Sequence, residues 1–211
     1  MLSILAEYGF RDAKVHALAS ERSLGQTVDF GNRCLAVEVL DDFDFAGCDF
    51  ALFSAGGGIS LKHAPRAAEA GCTVIDNTSA FRLDPEIPLV VPEINGDLLE
   101  NLEAGSIIAN PNCSTIQMVV AIAPIHAIAG IERINVATYQ SVSGAGSDGM
   151  EELARQTMDR LSFKEVKTSV FAQPIAFNAI PVIDTMQDND YTREEMKLHW
   201  ETRKIMRDEA I

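Results

Sequence analysis

The stretch that most limits what this chain can fold into runs from Cys48 to Asp76. Cys48 to Ala55 is an apolar segment, interrupted by Asp49, that runs into Ser54-Ala55-Gly56-Gly57-Gly58. Ile59 to Ala70 then carries the alanine-rich spacing of a helix, closed by Gly71. Cys72 to Asp76 follows as another strand. Strand, glycine loop, helix and strand in succession specify an open parallel sheet, whose ligands bind at the loops beyond the carboxyl ends of the strands. The triple glycine lets a backbone approach a ligand closely, although glycine turns after strands are also ordinary.

The flanking segments extend the same pattern. Met1 to Tyr8 has helical spacing, and Lys14 to Ala19 and Leu35 to Leu40 read as strands. Ser20, Arg22 and Ser23 lie in the loop after the first of these. In a dinucleotide fold an acidic residue in such a loop binds ribose hydroxyls, whereas Arg and Ser suit a 2′-phosphate. Glu21 keeps the first option open, and a solvated loop is a third. Pro85, Pro88 and Pro92 make the next stretch extended. A short helix is expected at Asn95–Leu102 and a strand at Ser106–Ala109.

Asn110-Pro111-Asn112-Cys113-Ser114-Thr115 is a polar turn ahead of an uncharged apolar run, Ile116 to Ile131. Pro111 fits the entry to a helix, and Asn112 or Ser114 could cap it. Cys113 then sits at the helix N-terminus, where unpaired N–H groups and the helix dipole favour a thiolate, the nucleophilic form. The alternative is a small cysteine that merely packs there. Arg133 to Ser141 alternates as a strand and ends in a second glycine loop, before a helix from Ser147 to Leu161 capped by Ser147 or Asp148. Phe171 to Val182 carries Pro174 and Pro181 and reads as an extended edge or interface segment. Thr192 to Glu209 is helical, with Thr192 and Glu195 forming a capping box. Glu194 and Lys197 share one face of it, in the spacing of a surface ion pair.

Composition narrows the partners. Nearly half of the 211 residues are hydrophobic, enough for a sizeable core, and the net charge of −14 argues against nucleic acid and anionic membranes. The cysteines (Cys34, Cys48, Cys72 and Cys113) form no disulfide framework and no zinc spacing, as expected of reduced thiols in a cytoplasmic protein. Met1 to Leu5 lacks the basic start of a signal peptide. The run from Ile116 to Ile131 is slightly short for a membrane span and contains Gln117, Pro124 and His126.

Several motifs, taken together and in order, resemble aspartate-β-semialdehyde dehydrogenases of the bacterial type. They are S-x-R-S-x-G at Ser20–Gly25, F-S-A-G-G at Phe53–Gly57, N-T-S-A-F-R at Asn77–Arg82 and V-P-E-I-N at Val91–Asn95. N-P-N-C-S-T at Asn110–Thr115, T-Y-Q-S-V-S-G-A-G at Thr138–Gly146 and F-N-x-I-P at Phe177–Pro181 follow. E-E-M-K at Glu194–Lys197 and E-T-x-K at Glu201–Lys204 complete the series. The resemblance implies an α/β fold of the glyceraldehyde-3-phosphate-dehydrogenase kind. A partial Rossmann-like NADP-binding domain (1–112) would precede part of an α+β catalytic and dimerisation domain (113–211). It implies Cys113 as the nucleophile that carries an acyl thioester, and Gln140 as a substrate-positioning residue. Arg82 and Lys197 become phosphate binders, Glu194 a contact to the substrate amino group, and Asn112 a contact to the phosphate or acyl oxygen. Ser20, Arg22, Ser23, Ser54, Ala55 and Gly56 become NADP contacts, with Ser143 and Gly144 beside the nicotinamide. The implied substrates are aspartyl phosphate or aspartate semialdehyde and phosphate. The implied assembly is a cytoplasmic homodimer, and the implied setting is synthesis of lysine, diaminopimelate, methionine, threonine and isoleucine.

The resemblance also implies missing pieces. The family opens with a strand and a G-A-T-G-A-V-G type phosphate loop, and continues into a segment with a substrate-binding arginine and a catalytic histidine. Neither is present, so an unpaired strand edge, poor stability and little activity are expected of these 211 residues alone. His16, His63, His126 and His199 match no family motif. His126 would lie about 19 Å along the helix from Cys113, beyond hydrogen-bond reach. Two rival readings are an N-acetyl-γ-glutamyl-phosphate reductase, whose cysteine motif is usually G-C-Y-P-T, and a non-catalytic dimerisation module.

Overall fold

The computed structural model describes all 211 residues. The chain forms two compact units. The first comprises Met1–Phe81 and Asn101–Ala109, the second Arg82–Glu100 and Asn110–Ile211. The chain passes between the units three times, and the proline-rich segment 82–100 belongs to the second.

In the first unit, helix α1 (Leu2–Glu7) precedes strands β1 (Ala17–Ala19), β2 (Thr27–Phe30), β3 (Arg33–Val39) and β4 (Phe50–Phe53). Helix α2 (Gly57–Glu69) and strand β5 (Thr73–Asp76) follow. A parallel sheet forms where the glycine-loop pattern requires it: β4 and β5 pair in parallel, and β5 pairs in parallel with the later strand Ile107–Ala109. β1 also pairs in parallel with β3. The exception is β2, which runs antiparallel to β3 through the two-residue turn Gly31-Asn32. The sequence reading assigns no element at β2, because four residues are too few to show alternation; the Gly-Asn dipeptide was the usable signal. The strands make two three-stranded sheets, in which β1 and β4 each pair on one side only.

Phe30, Phe45, Phe53, Ala64, Ala67, Cys72 and Val74 bury the first unit's core. Phe45 meets the Phe43 ring edge-on at 5.1 Å. Asp76 is fully buried at the end of β5 and accepts from the Ser60 hydroxyl of α2 (2.7 Å) and from the Thr78 hydroxyl (2.7 Å). One carboxylate thus ties the helix to the loop after the strand, and its burial is compensated by charge-assisted bonds.

The second unit begins with the short helix α3 (Pro92–Asn95) and a 3-10 turn, Gly96–Leu99. Asn95 is buried and serves the backbone, donating to Leu89 O and accepting from Val91 N–H. After strand β6 (Ile107–Ala109) of the first unit come helices α4 (Cys113–Ala129), α5 (Gly146–Leu161) and α6 (Arg193–Met206). α6 starts as expected: the Thr192 hydroxyl accepts from Glu195 N–H, and the Glu195 carboxylate accepts from Thr192 N–H. α5 does not. Its N-cap is Ala145 with no side-chain bond, and Ser147 and Asp148 lie inside the first turn. Glu152 of α5 serves the segment after the helix. It is buried and accepts from the Ser169 hydroxyl and the backbone N–H groups of Ser169 and Val170.

The expected strand at 133–141 is absent: no segment pairs with it, and a period-two pattern without a ladder partner makes no strand. α4 is apolar all round, yet Ile128 on it is 88% exposed. No helix is long and apolar enough to cross a membrane.

Gly105, in the turn before β6, gives a test of this packing. It adopts φ +82°, and a Cβ there would lie 2.5 Å from the carbonyl oxygen of Ala68 at the end of α2. Gly105→Ala is expected to lower stability by about 1–3 kcal/mol through strain and steric overlap, read as a lower urea midpoint by circular dichroism. A midpoint equal to that of the native chain would contradict this placement.

Candidate functional site

Cys113 is the first residue of α4 and is exposed. Asn112 caps the helix: its Oδ1 accepts from Ser114 N–H (2.9 Å) and Thr115 N–H (3.3 Å). Such a cap contributes about 1 kcal/mol. Its bond to the Ser114 and Thr115 amides also fixes the turn that presents the thiol to solvent. The helix start read from the sequence is therefore correct, and it leaves the Cys113 side chain exposed.

The other end of the Asn112 amide points to α6. Nδ2 donates to Glu194 Oε1 (3.0 Å), and Gln140 Nε2 donates to the same oxygen (3.0 Å). Lys197 Nζ donates to Glu194 Oε2 (2.9 Å) and to Asp184 Oδ2 (2.8 Å). Glu194 is only 8% exposed, so this is not the surface ion pair that its spacing suggested. Burial by itself pushes the Glu194 carboxyl up, but the bonds from Gln140, Lys197 and Asn112 outweigh it and hold the group below its ordinary value. Lys197 shows the mirror image: burial pulls the ammonium down, while Asp184 and Glu194 bring it above its ordinary value.

Arg82 enters from the segment before α3. Its Nη1 donates to Glu201 Oε1 (3.1 Å), while Glu201 Oε2 accepts the backbone N–H of Asn112 (2.6 Å). Lys204 Nζ donates to the carbonyl oxygens of Arg82 (3.0 Å), Asp84 (2.5 Å) and Ile87 (2.8 Å). Burial pushes the Lys204 ammonium down. The structure thus brings Cys113, Asn112, Gln140, Arg82, Glu194 and Lys197 into one hydrogen-bonded neighbourhood. Asp184, Glu201 and Lys204 join it without having been singled out as site residues. The signal for the last two was available: Glu194, Lys197, Glu201 and Lys204 recur at i, i+3, i+7 and i+10, one face of a helix with alternating charge.

His126 is paired with Asp208 (3.2 Å), His16 with Glu38 (2.6 Å), and buried His63 with Arg66 (2.7 Å).

The remaining expected residues lie on loops. Ser20 begins the 3-10 turn Glu21–Ser23 after β1, with its hydroxyl capping nothing; Ser20 and Arg22 are exposed and Ser23 half-buried. Ser54, Ala55 and Gly56 are exposed after β4, and Ser54 Oγ accepts from Asn77 Nδ2 (3.3 Å). Gly56 adopts φ +103° ahead of α2, and a Cβ at Gly56 or Gly58 would meet nothing within 4 Å. Exposed hydroxyls, a guanidinium and an open glycine backbone at the carboxyl ends of parallel strands fit a phosphorylated dinucleotide. Ser143 and Gly144 belong to the second unit, in the 3-10 turn Val142–Ala145 that Ser141 caps.

A parallel α/β unit with an open glycine loop, and a second unit with an exposed cysteine beside an asparagine bound by two buried carboxylates, are the two units of the semialdehyde dehydrogenase class. Residues 1–102 match the NAD binding domain of semialdehyde dehydrogenases, and residues 122–211 match their dimerisation domain. Aspartate-semialdehyde dehydrogenase 2 of Vibrio cholerae is 54% identical over all 211 residues, and the chain spans 63% of that relative. The aspartate-semialdehyde dehydrogenase of Vibrio mimicus is 53% identical over the whole chain, which covers 67% of it. The crystal structure of the Vibrio cholerae enzyme II complexed with ASA superposes with a TM-score of 0.95, covering 100% of this chain and 62% of that one. The chain belongs to the aspartate-semialdehyde dehydrogenase family, which sets aside the N-acetyl-γ-glutamyl-phosphate reductase reading.

The opposing shifts give a pH test. The lowered Glu194 carboxyl contributes stability that is present above its ordinary value of 4.5 and lost as pH falls through its folded pKa. The melting-temperature gap between the native chain and Glu194→Gln should therefore be constant from neutral pH down to about 4.5, then close at lower pH. A gap that stays constant throughout the acid range would contradict the network.

Proposed function

We propose that this chain forms the nucleophile-bearing part of an NADP-dependent aspartate-semialdehyde dehydrogenase. It would convert L-aspartyl 4-phosphate to L-aspartate 4-semialdehyde, in the pathway that leads to lysine, diaminopimelate, methionine, threonine and isoleucine. The observation that carries the reading is the clamp of Asn112 between two buried carboxylates, Glu194 and Glu201, next to an exposed Cys113.

The Cys113 thiolate attacks the acyl carbon of the substrate. A C–S bond forms, the C–O bond to phosphate breaks, and the phosphate leaves with the electron pair. Arg82 and Lys197 supply the cationic charge that stabilises the phosphate. Each already has a carboxylate partner in Glu201 or Glu194, which holds it in place before the anion arrives. Lys197 uses two of its three donors on Glu194 and Asp184 and keeps one for an oxyanion. Glu194, held ionised by its neighbours, is the counter-charge for the substrate ammonium. Gln140, anchored on Glu194, orients the acyl group. Ser20, Arg22, Ser23, Ser54, Ala55 and Gly56 would hold NADP on the first unit. Bound NADPH would supply a hydride to the thioester carbon, and the C–S bond would break to release the aldehyde and return the Cys113 thiolate. Arg22 favours the 2′-phosphate over a bare ribose. Tyr139 and Phe163, 99% and 98% exposed, are the apolar surface that supports a homodimer.

Two experiments on the full-length gene product test this. Cys113→Ser should lower phosphate-dependent NADP reduction by aspartate semialdehyde at least about 1,000-fold with the melting temperature retained. Turnover within a few-fold of native would exclude Cys113 as nucleophile. Arg22→Ala should cut the NADP-over-NAD preference in kcat/KM by about ten-fold, through loss of one charge-assisted phosphate contact. An unchanged preference would place the 2′-phosphate elsewhere.

A further inference from the structure

The lower half of α6 faces Arg82 with two groups, Glu201 and Lys204, that touch no reacting atom in the reaction above. Glu201 is 1% exposed, yet it touches no solvent-facing cation; both of its oxygens are spent on the site. Oε1 accepts from the Arg82 guanidinium and Oε2 from the Asn112 backbone N–H. Lys204 holds the same arginine from behind, through the carbonyl oxygens of Arg82, Asp84 and Ile87. A buried carboxylate is costly unless it is fully paired, so a bridge of this kind fixes both of its donors. One of those donors belongs to the residue next to Cys113. The other is a guanidinium whose fork must be aimed to meet an oxyanion.

We infer that Glu201 is a positioning residue: its carboxylate sets the aim of Arg82 and the pose of the Asn112-Cys113 turn together, coupling the phosphate subsite to the nucleophile. This rests on the reading of Arg82 as a phosphate binder. Lys204 is the second half of the device. It fixes the backbone of Arg82 while Glu201 fixes its head group. An anion arriving at Arg82 is then felt at the cysteine turn through a single side chain.

Glu201→Asp separates position from charge. It keeps the negative charge and both acceptors but withdraws them by one methylene. The probe is inorganic phosphate, read as slower alkylation of Cys113 by iodoacetamide in the full-length gene product, with Cys113 resolved by peptide mass spectrometry. The phosphate concentration giving half-protection is expected to rise about ten-fold in Glu201→Asp, the equivalent of one charge-assisted hydrogen bond. KM for phosphate in the oxidative direction should rise by a similar factor. Glu201→Gln, in which an amide NH2 must face one of the two donors, should move half-protection the same way, and it carries the test if the aspartate variant does not fold. Half-protection within about two-fold of native in the folded variant, with only a lower melting temperature, would show that Glu201 merely packs and would overturn the inference. Absence of phosphate protection in the native protein itself would overturn the phosphate reading of Arg82, and this inference with it.

Discussion

The second unit depends on one arrangement: two carboxylates on one helix face, buried and fully engaged. Glu194 accepts from Asn112, Gln140 and Lys197, and Glu201 from Arg82 and the Asn112 backbone. Neither anion would be tolerated at this burial without those donors. Conversely, the donors come from segments with little regular structure of their own. Gln140 lies in a stretch without strand or helix, and Arg82 in the turn ahead of the proline-rich segment. α6, started by its capping box, is the regular element on which these irregular segments are assembled.

This division of labour suits the proposed acyl transfer. The nucleophile must be exposed, but its surroundings must not shift. Cys113 meets the first condition at the start of an α-helix. Asn112 meets the second by using both ends of one amide, Oδ1 for the helix N-terminus and Nδ2 for Glu194. The cations proposed to meet phosphate are each held by a carboxylate. Their charge is thereby placed in advance rather than gathered when the substrate arrives. In the first unit Asp76 plays a comparable structural part, tying α2 to the loop after β5.

Much of this was legible in the sequence, for identifiable reasons. The glycine loop before α2, the cap before α4 and the Thr192–Glu195 box are local signals, and each appeared where its residues placed it. The parallel pairing of β4 with β5 followed from the helix between them. Two failures were local: β2 is too short to show alternation, and α5 starts after Ala145 without a capping side chain. The others involve partners distant in the chain. Alternation at 133–141 could not reveal that no strand pairs with it. The burial of Glu194 and Glu201 depends on Asn112 and Arg82, which lie 82 and 119 residues away in sequence. The charge stripe on α6 marked these positions, but spacing alone does not distinguish a buried stripe from a solvated one. The roles of Gln140, Arg82 and Glu194 came from the family resemblance. Their meeting in one network is what the structure adds.

The proposed reaction stands on acylation of Cys113. The most direct measurement of it is the mass of the Cys113-containing peptide after the full-length gene product is incubated with aspartyl phosphate, NADPH withheld, and quenched in acid. This peptide should gain one aspartyl acyl group, which hydroxylamine should remove as it does a thioester. An unmodified Cys113 in a preparation that turns over once NADPH is restored, or an acyl group on another residue, would contradict it.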